Sequence, residues 1–274
     1  MATKDKLPTP LLTTQIVDAY GKKYALRHGE LIRLQVDNSH YYFLNEQFLV
    51  GVTTILGEAA PVPQGLRLFW QNNTKEESET IFNDAAVKGS NVHNGIQKLL
   101  AGEALNLLQD YTDKEKKGLV AFVDWFRTFK PQDYESEQPI ASMQYQYAGT
   151  LDFVCVINGE RWLIDFKTSN AIHFSHQLQV LAYKQAYEES HGKPIDRCFI
   201  LRIGTTHKGS TKAVDTLGSC TGKWWEFKEV TEYTFGDFLN IYNTYKALHG
   251  GVVPQPEKIE TFPSMLQLYS AVKE

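Results

Sequence analysis

An Asn-Gly pair at Asn158-Gly159, set between apolar runs at residues 151–157 and 161–166, constrains this chain more than any other local feature. Both central residues of a two-residue hairpin turn need positive φ, which Asn and Gly adopt at little cost, so the pair predicts two antiparallel strands and fixes their register. Ile157 is expected opposite Glu160. Counting outward gives Val156 with Arg161, Cys155 with Trp162, Val154 with Leu163, Phe153 with Ile164, and Asp152 with Asp165. Side chains alternate along a strand, so Asp165 and Lys167 should share the face of Asp152.

Directly opposed residues place their Cβ atoms about 5 Å apart, where like charges destabilise the pair. At an effective dielectric of about 20, two carboxylates at that spacing repel by about 3 kcal/mol, a large fraction of the stability of an ordinary domain. A divalent cation would turn this repulsion into attraction. Hard oxygen ligands suit magnesium or manganese, which bind through one or two carboxylates together with waters and a substrate phosphate. The plainer alternatives are a protonated aspartate or a simple ion pair with Lys167. Acids at the end of a strand pair this apolar are costly unless they have work to do.

The chain has 274 residues, 42% hydrophobic and 22% charged, enough for one large domain or a domain with an appended subdomain, and it fits no disordered class. No apolar run is long enough to span a bilayer, and residues 1–10 are polar and lack the hydrophobic stretch of a signal peptide, so a cytoplasmic location is expected. Cys155, Cys198 and Cys220 have no metal-ligand spacing, which argues against a disulfide framework or a four-cysteine iron–sulfur cluster. The net charge of −4 does not announce a nucleic-acid binder. Between Lys193 and Val230, however, seven Lys and Arg stand against four Asp and Glu, a surplus of 7 − 4 = +3, in a segment that also holds Trp224 and Trp225. Basic residues interleaved with aromatics can hold a backbone while bases stack. The bland reading is a solvated edge hairpin, and Trp70, Trp224 and Trp225 are read as core.

Residues 11–56 are strand-like and aromatic, with turn signals at Gly21-Lys22, His28-Gly29 and Asp37-Asn38-Ser39, and predict a small antiparallel sheet. Ile81, Ala85, Gly89, Val92, Ile96 and Leu99 recur at three- and four-residue steps, predicting a long amphipathic helix that ends near Gly102 and carries His93 beside its stripe. Gly89 inside that helix costs about 1 kcal/mol against alanine unless close packing or a site requires it. Thr112 and Glu115 form a capping box for a helix with the stripe Leu119, Phe122, Phe126 and Phe129, stopped by Pro131. Central strands are expected from about Glu137 to Lys167. Ser175 then opens a helix bearing Gln179 and Tyr183 on one face, closed by Gly192 and Pro194. Further strands are predicted at 195–203, 212–217 and 224–230. A helix through Phe235, Phe238, Ile241, Tyr245 and Leu248 ends at Gly250, and a short one follows Pro263. Helices flanking a mixed sheet make an α/β layered domain.

Gly149-Thr150-Leu151-Asp152, then Ile164-Asp165-Phe166-Lys167-Thr168-Ser169, then Leu178-Gln179-Val180-Leu181-Ala182-Tyr183 resembles the PD-(D/E)xK nuclease superfamily in its RecB-like exonuclease branch. Gly89 to His93 is similar to that branch's upstream glycine-to-histidine helix motif. Residues 51–56, Gly-Val-Thr-Thr-Ile-Leu, are similar to the segment that opens the shared region of phage-type and mitochondrial-genome-maintenance-type exonucleases. The match spans residues 50–190; an acid pair with D-x-K alone is weak, and four motifs in family order are strong.

The resemblance implies a restriction-endonuclease-like core, a mixed sheet flanked by helices, over 58–274, with an N-terminal antiparallel β extension over 1–57. It implies Asp152 and Asp165 as metal ligands, joined by the backbone carbonyl of Phe166 and by His93, with Lys167 completing the catalytic set by orienting or deprotonating the attacking water. Gln179 and Tyr183 would position the substrate, with Gln177 as the alternative glutamine. The branch's further acid would be Glu137, or Glu135. The implied cofactor is Mg2+ or Mn2+ with no iron–sulfur cluster, and the implied partner is DNA, single-stranded or with free ends, with no membrane. Two other functions stand beside a metal-dependent DNA exonuclease: a non-catalytic nucleic-acid-binding protein on the same fold, and a metal-dependent hydrolase of a small phosphate ester. The first would need a broken acid or lysine motif, and Asp152, Asp165 and Lys167 are all present.

Overall fold

Asn158 and Gly159 close the predicted turn with φ of 54° and 85°, and the strands on either side pair in the expected register from Ile157–Glu160 to Phe153–Ile164. The computed structural model describes residues 21–36, 39–205 and 219–251. The hairpin strands, β6 (Tyr147–Ile157) and β7 (Glu160–Lys167), lie at the centre of one mixed sheet. β5 (Gln132–Ser142) lines one edge of β6 antiparallel along nearly its whole length. β8 (Arg197–Ile203) adds parallel to β7, and β10 (Trp225–Glu229) and β9 (Ser219–Gly222) complete that side antiparallel.

The N-terminal strands β1 (Lys22–Leu26), β2 (Gly29–Val36), β3 (Ser39–Leu44) and β4 (Gln47–Gly51) form an antiparallel meander, as the aromatic, turn-punctuated sequence predicts. β4 then pairs parallel with β6 at Tyr147 and Ala148, which joins the meander to the main sheet. Leu11 to Tyr20 and the Asp37-Asn38 turn lie outside the described residues, as do the strand expected at 212–217 and the helix expected after Pro263.

Two helical layers sandwich the sheet. On one face α3 (Lys75–Leu100) and α5 (Asp113–Phe129) cover a core of Val92, Ile96, Leu119, Phe122, Trp125, Phe153, Ile164 and Phe166. On the other, α1 (Val52–Ala59), α6 (Phe174–His191) and α7 (Phe235–Leu248) cover Leu151, Val154, Leu163, Leu178, Tyr183 and Ile200. The short α2 (Gln64–Asn72) and α4 (Leu107–Asp110) bracket α3. No helix among the described residues is long and apolar enough to cross a membrane.

Three expectations are corrected. Residues 52–56 are helical, not strand: Val52, Ile55 and Leu56 are buried at i, i+3 and i+4, and this spacing overrides the β-branched pair Thr53-Thr54. The predicted stripe of α3 is core only from Val92 onward, since Ile81, Phe82 and Val87 are exposed and the helix begins at Lys75 behind a Thr74–Glu77 capping box. Of the three tryptophans read as core, Trp225 is fully buried, but Trp70 is 46% exposed and Trp224 is only partly covered.

Candidate functional site

The site grows from a fork in the sheet. β5 occupies one edge of β6, while β4 takes residues 147–148 of the other edge and β7 takes 153–157, so residues 149–152 have no strand partner there among the described residues. The side-chain alternation also slips: Leu151 and Val154 lie in one core and Phe153 in the other. The ladder thus stops one pair short of the expected Asp152–Asp165 opposition. Instead Phe166 N–H donates to Asp152 Oδ2 at 2.7 Å, so a carboxylate takes the backbone hydrogen bond that continued strand pairing would have supplied.

On the other edge Glu137 falls between Ser136, paired with Phe153, and Gln138, paired with Leu151, and therefore opposite Asp152. Its φ is 52°, a left-handed conformation that is rare for a non-glycine residue inside a strand. α3 contributes His93. The helix sits close because its glycines leave no side chain in the way: a Cβ on Gly95 would lie 2.6 Å from Leu119, and one on Gly89 would lie 3.3 Å from the Thr168 hydroxyl just past β7. Gly118 of α5 makes the reciprocal approach to Val92. Packed edge-on to Phe166 at 6.0 Å between centroids, His93 places Nδ1 3.5 Å from Asp152 Oδ1. His93, Glu137 and Asp152 each offer a ligand atom within 4.8 Å of the others, a group that could hold a metal ion.

Asp165 lies beside this group, 1% exposed, with Oδ2 2.6 Å from Lys167 Nζ. Its other oxygen, Oδ1, is buried without a hydrogen-bond partner. A buried carboxylate oxygen left unpaired is costly, and a divalent cation is one group that satisfies it. The electrostatics run the same way. Burial pushes the Asp165 carboxyl up to about 6, with Lys167 opposing and the neighbouring Asp152 charge reinforcing. Burial and the Asp152 charge likewise raise Glu137. Asp152 goes the opposite way: burial would raise it, but the charge and hydrogen bond of His93, Lys167 and the Phe166 N–H hold it below its usual range. Burial would lower His93, and Asp152 and Glu137 reverse that into a net rise. Three acids within one pocket therefore compete for protons, a pattern typical of sites that bind cations or move protons.

Gln179 and Tyr183 share a face of α6, with Gln179 Nε2 donating to the Tyr183 hydroxyl at 3.0 Å. Burial and the nearby Tyr42, Asp165 and Asp152 push the phenol well above its usual value. The ring lies against Gly149, where a Cβ would come within 2.5 Å of it, so the glycine that opens Gly149-Thr150-Leu151-Asp152 is demanded by Tyr183. Gln177, the alternative glutamine, is turned away and donates to Glu232 at 3.3 Å. Glu135, the alternative acid, pairs with Lys193 at 3.4 Å outside the cluster.

The sequence reading gave Glu137 only as the branch's further acid, whereas the structure groups it with the possible ligands. It also missed three neighbours. Gln97, one helical turn beyond His93, hydrogen-bonds Glu137, and the i, i+4 spacing is a signal that could have found it. Arg33 donates to Thr150 Oγ1 at 3.2 Å and lies 4.0 Å from Glu137. His176, held neutral, lies near Lys167. Arg33 comes from β2, 117 residues from Thr150, and no local pattern marks it.

No protein-family model matches the chain, and no curated protein does. Among solved structures, a protein from Eubacterium rectale named "Putative exonuclease" is 12% identical, with a TM-score of 0.40 over 78% of this chain and 89% of its own. A second, SSO0001, is 14% identical, with a TM-score of 0.30 over 58% of this chain and 74% of its own. Likeness at this level carries no statement about the activity of this chain.

Proposed function

We propose that this chain is a metal-dependent nuclease that hydrolyses phosphodiester bonds in DNA, acting as an exonuclease on single-stranded ends with Mg2+ or Mn2+. The observation that carries the reading is the convergence, from four separate elements, of His93, Glu137 and Asp152 with a buried Asp165–Lys167 pair whose acid keeps one oxygen unpartnered. The motif resemblance from residue 50 to 190 supports it.

Asp152, Asp165, Glu137 and His93 would hold the cation, with the Phe166 carbonyl as a further oxygen. Bound there, it would neutralise the scissile phosphate, lower the pKa of a water and stabilise the leaving oxygen. The protein's own groups supply the rest. Lys167 Nζ is fixed by Asp165 Oδ2, so its remaining protons are aimed at whatever occupies the site and can orient a water or steady phosphate charge. The Phe166 N–H pins one oxygen of Asp152, leaving the other free to ligate. Gln179 donates to the Tyr183 hydroxyl and so fixes the ring that packs on Gly149, three residues before Asp152.

The test is a gel with end-labelled linear single strands, linear duplex and circular single strands, with magnesium or manganese. Linear single strands should shorten, circles should resist, chelator should stop the reaction, and Lys167→Ala should abolish it. Cleavage unaffected by chelator, or equal activity in the variant, refutes the proposal.

A further inference from the structure

The turn between β9 and β10 consists of Lys223 and Trp224, and it breaks a local rule. Trp224 has φ of 66°, in the second central position of a two-residue turn, where glycine or asparagine is the usual solution. A bulky residue in this conformation costs about 1–2 kcal/mol, and such outliers persist where the side chain is needed. Burial accounts for only part of it, because the adjacent Trp225 is fully buried while Trp224 packs on the same core from a partly exposed position. The indole is instead flanked by two ammonium groups: Lys223 Nζ lies 4.7 Å from the ring centroid and Lys117 Nζ, from α5, lies 5.6 Å from it. Among the described residues neither lysine is in an ion pair.

This platform stands at the same end of the sheet as the acids. Lys167 pairs across to Arg202, and Arg202 to Glu226, so β10 runs two strands over from Lys167 and Trp224 sits two residues past that level. Two strand spacings are about 10 Å and two residues about 7 Å. Lys117 is tied to the site from the other side, since the next residue, Gly118, packs on Val92, the neighbour of His93.

We infer that Trp224, Lys117 and Lys223 form a subsite for single-stranded nucleic acid, in which an unpaired base stacks on the indole while the two ammonium groups hold the flanking phosphates. The chemistry fits: every base has a face that stacks on an aromatic ring, and lysines track a phosphate backbone without reading sequence. The inference rests on the nuclease reading for its role in catalysis but not for its binding. A small phosphate ester would need no stacking platform outside the metal pocket.

The test measures binding of a labelled single-stranded oligonucleotide to the full chain in chelator, where no hydrolysis occurs. Trp224→Gly suits the turn's backbone and should keep the melting temperature, yet weaken binding about tenfold or more. Trp224→Phe should keep most of the affinity. Wild type should bind an ordinary oligonucleotide more tightly than one with abasic sites, and Trp224→Gly should lose that preference. Lys117→Gln or Lys223→Gln should each lower the salt dependence of binding by about one phosphate contact. A folded Trp224→Gly variant that binds as wild type does, or a wild type indifferent to abasic sites, overturns the inference even if magnesium-dependent cleavage is robust. Base-dependent binding lost in Trp224→Gly sustains it even if no cleavage is found, in which case only the nuclease reading falls.

Discussion

Replacing Asp165 by Asn turns the burial of its carboxylate into a measurable slope. In the fold the group titrates at about 6 against an ordinary value of 3.8, so between those values the native protein binds a proton that the unfolded chain has released. The sign follows from linkage: the contribution of Asp165 to stability is greatest at low pH and is lost as pH rises through this window. Over the whole window it amounts to about 3 kcal/mol, of which somewhat under half is lost between about pH 5 and about pH 7.5. Asparagine cannot titrate. It also alters the contact with Lys167, which shifts the variant's stability by an amount nearly constant with pH, so the slope carries the test. Urea unfolding in chelator, repeated at several pH values, should show the variant gaining on wild type by about 1 kcal/mol between those two pH values. Magnesium added near neutral pH should then stabilise wild type much more than the variant, because a ligand that binds the native state alone raises stability with the logarithm of its excess over the dissociation constant. A difference between the two proteins that stays flat with pH would show Lys167 holding Asp165 fully ionised, and the argument from the unpaired oxygen would fail.

Asp152→Asn should weaken magnesium or manganese binding measured by calorimetry, since it removes the charge between His93 and the Phe166 N–H; unchanged affinity would place Asp152 outside the ligand set. Gly149→Ala forces a methyl to within 2.5 Å of Tyr183 and should cost about 1–3 kcal/mol in denaturant unfolding. Gly57→Ala, in α1 where nothing lies within 4 Å, should instead gain about 0.4–1 kcal/mol, and equal effects at the two glycines would refute the packing account. His176 is lowered to about 3 by burial and by the Lys167 and His173 charges, so its contribution to stability falls as pH drops below 6.5. The loss is at most about 1.4 kcal/mol per pH unit, and His176→Gln should flatten the acid limb of the stability curve, which an unaltered limb would contradict.

The hairpin was legible because a single dipeptide decides it: Asn158-Gly159 fixes turn type, and turn type fixes register. Legibility failed one pair before the acids, at Asp152. A register counted from a turn holds only as far as its two strands stay paired, and at the fork between β4 and β7 the β6–β7 ladder ends with Phe153 and Ile164. Capping residues made α5 readable, through Thr112 and Glu115. The stripe of α3 misled before Val92 because Ile81, Phe82 and Val87 lie exposed, so apolar periodicity there does not mark a core face. Glu137 could be proposed only from the family pattern, since its left-handed backbone is invisible in a strand-like sequence. Arg33 could not be reached at all, because its nearness to Thr150 is made by tertiary structure alone.

Four departures from local rules meet at the site, although others, such as Asp133 at a φ of 44°, lie elsewhere in the chain. Glu137 takes positive φ inside a strand, Asp152 interrupts a ladder, Gly149 leaves room for a buried phenol, and Asp165 is buried with an unpaired oxygen, all along one edge of β6 or directly across from it. The cost at Asp165 could be relieved by a common substitution such as Asp165→Asn. The meeting of these departures where four elements converge is what the proposed function requires, because groups set to bind a cation and a phosphate are held there against folding energy. The same logic separates two of the hairpin turns: Asn158-Gly159 suits its backbone, whereas Lys223-Trp224 departs from it and holds an indole between two cations.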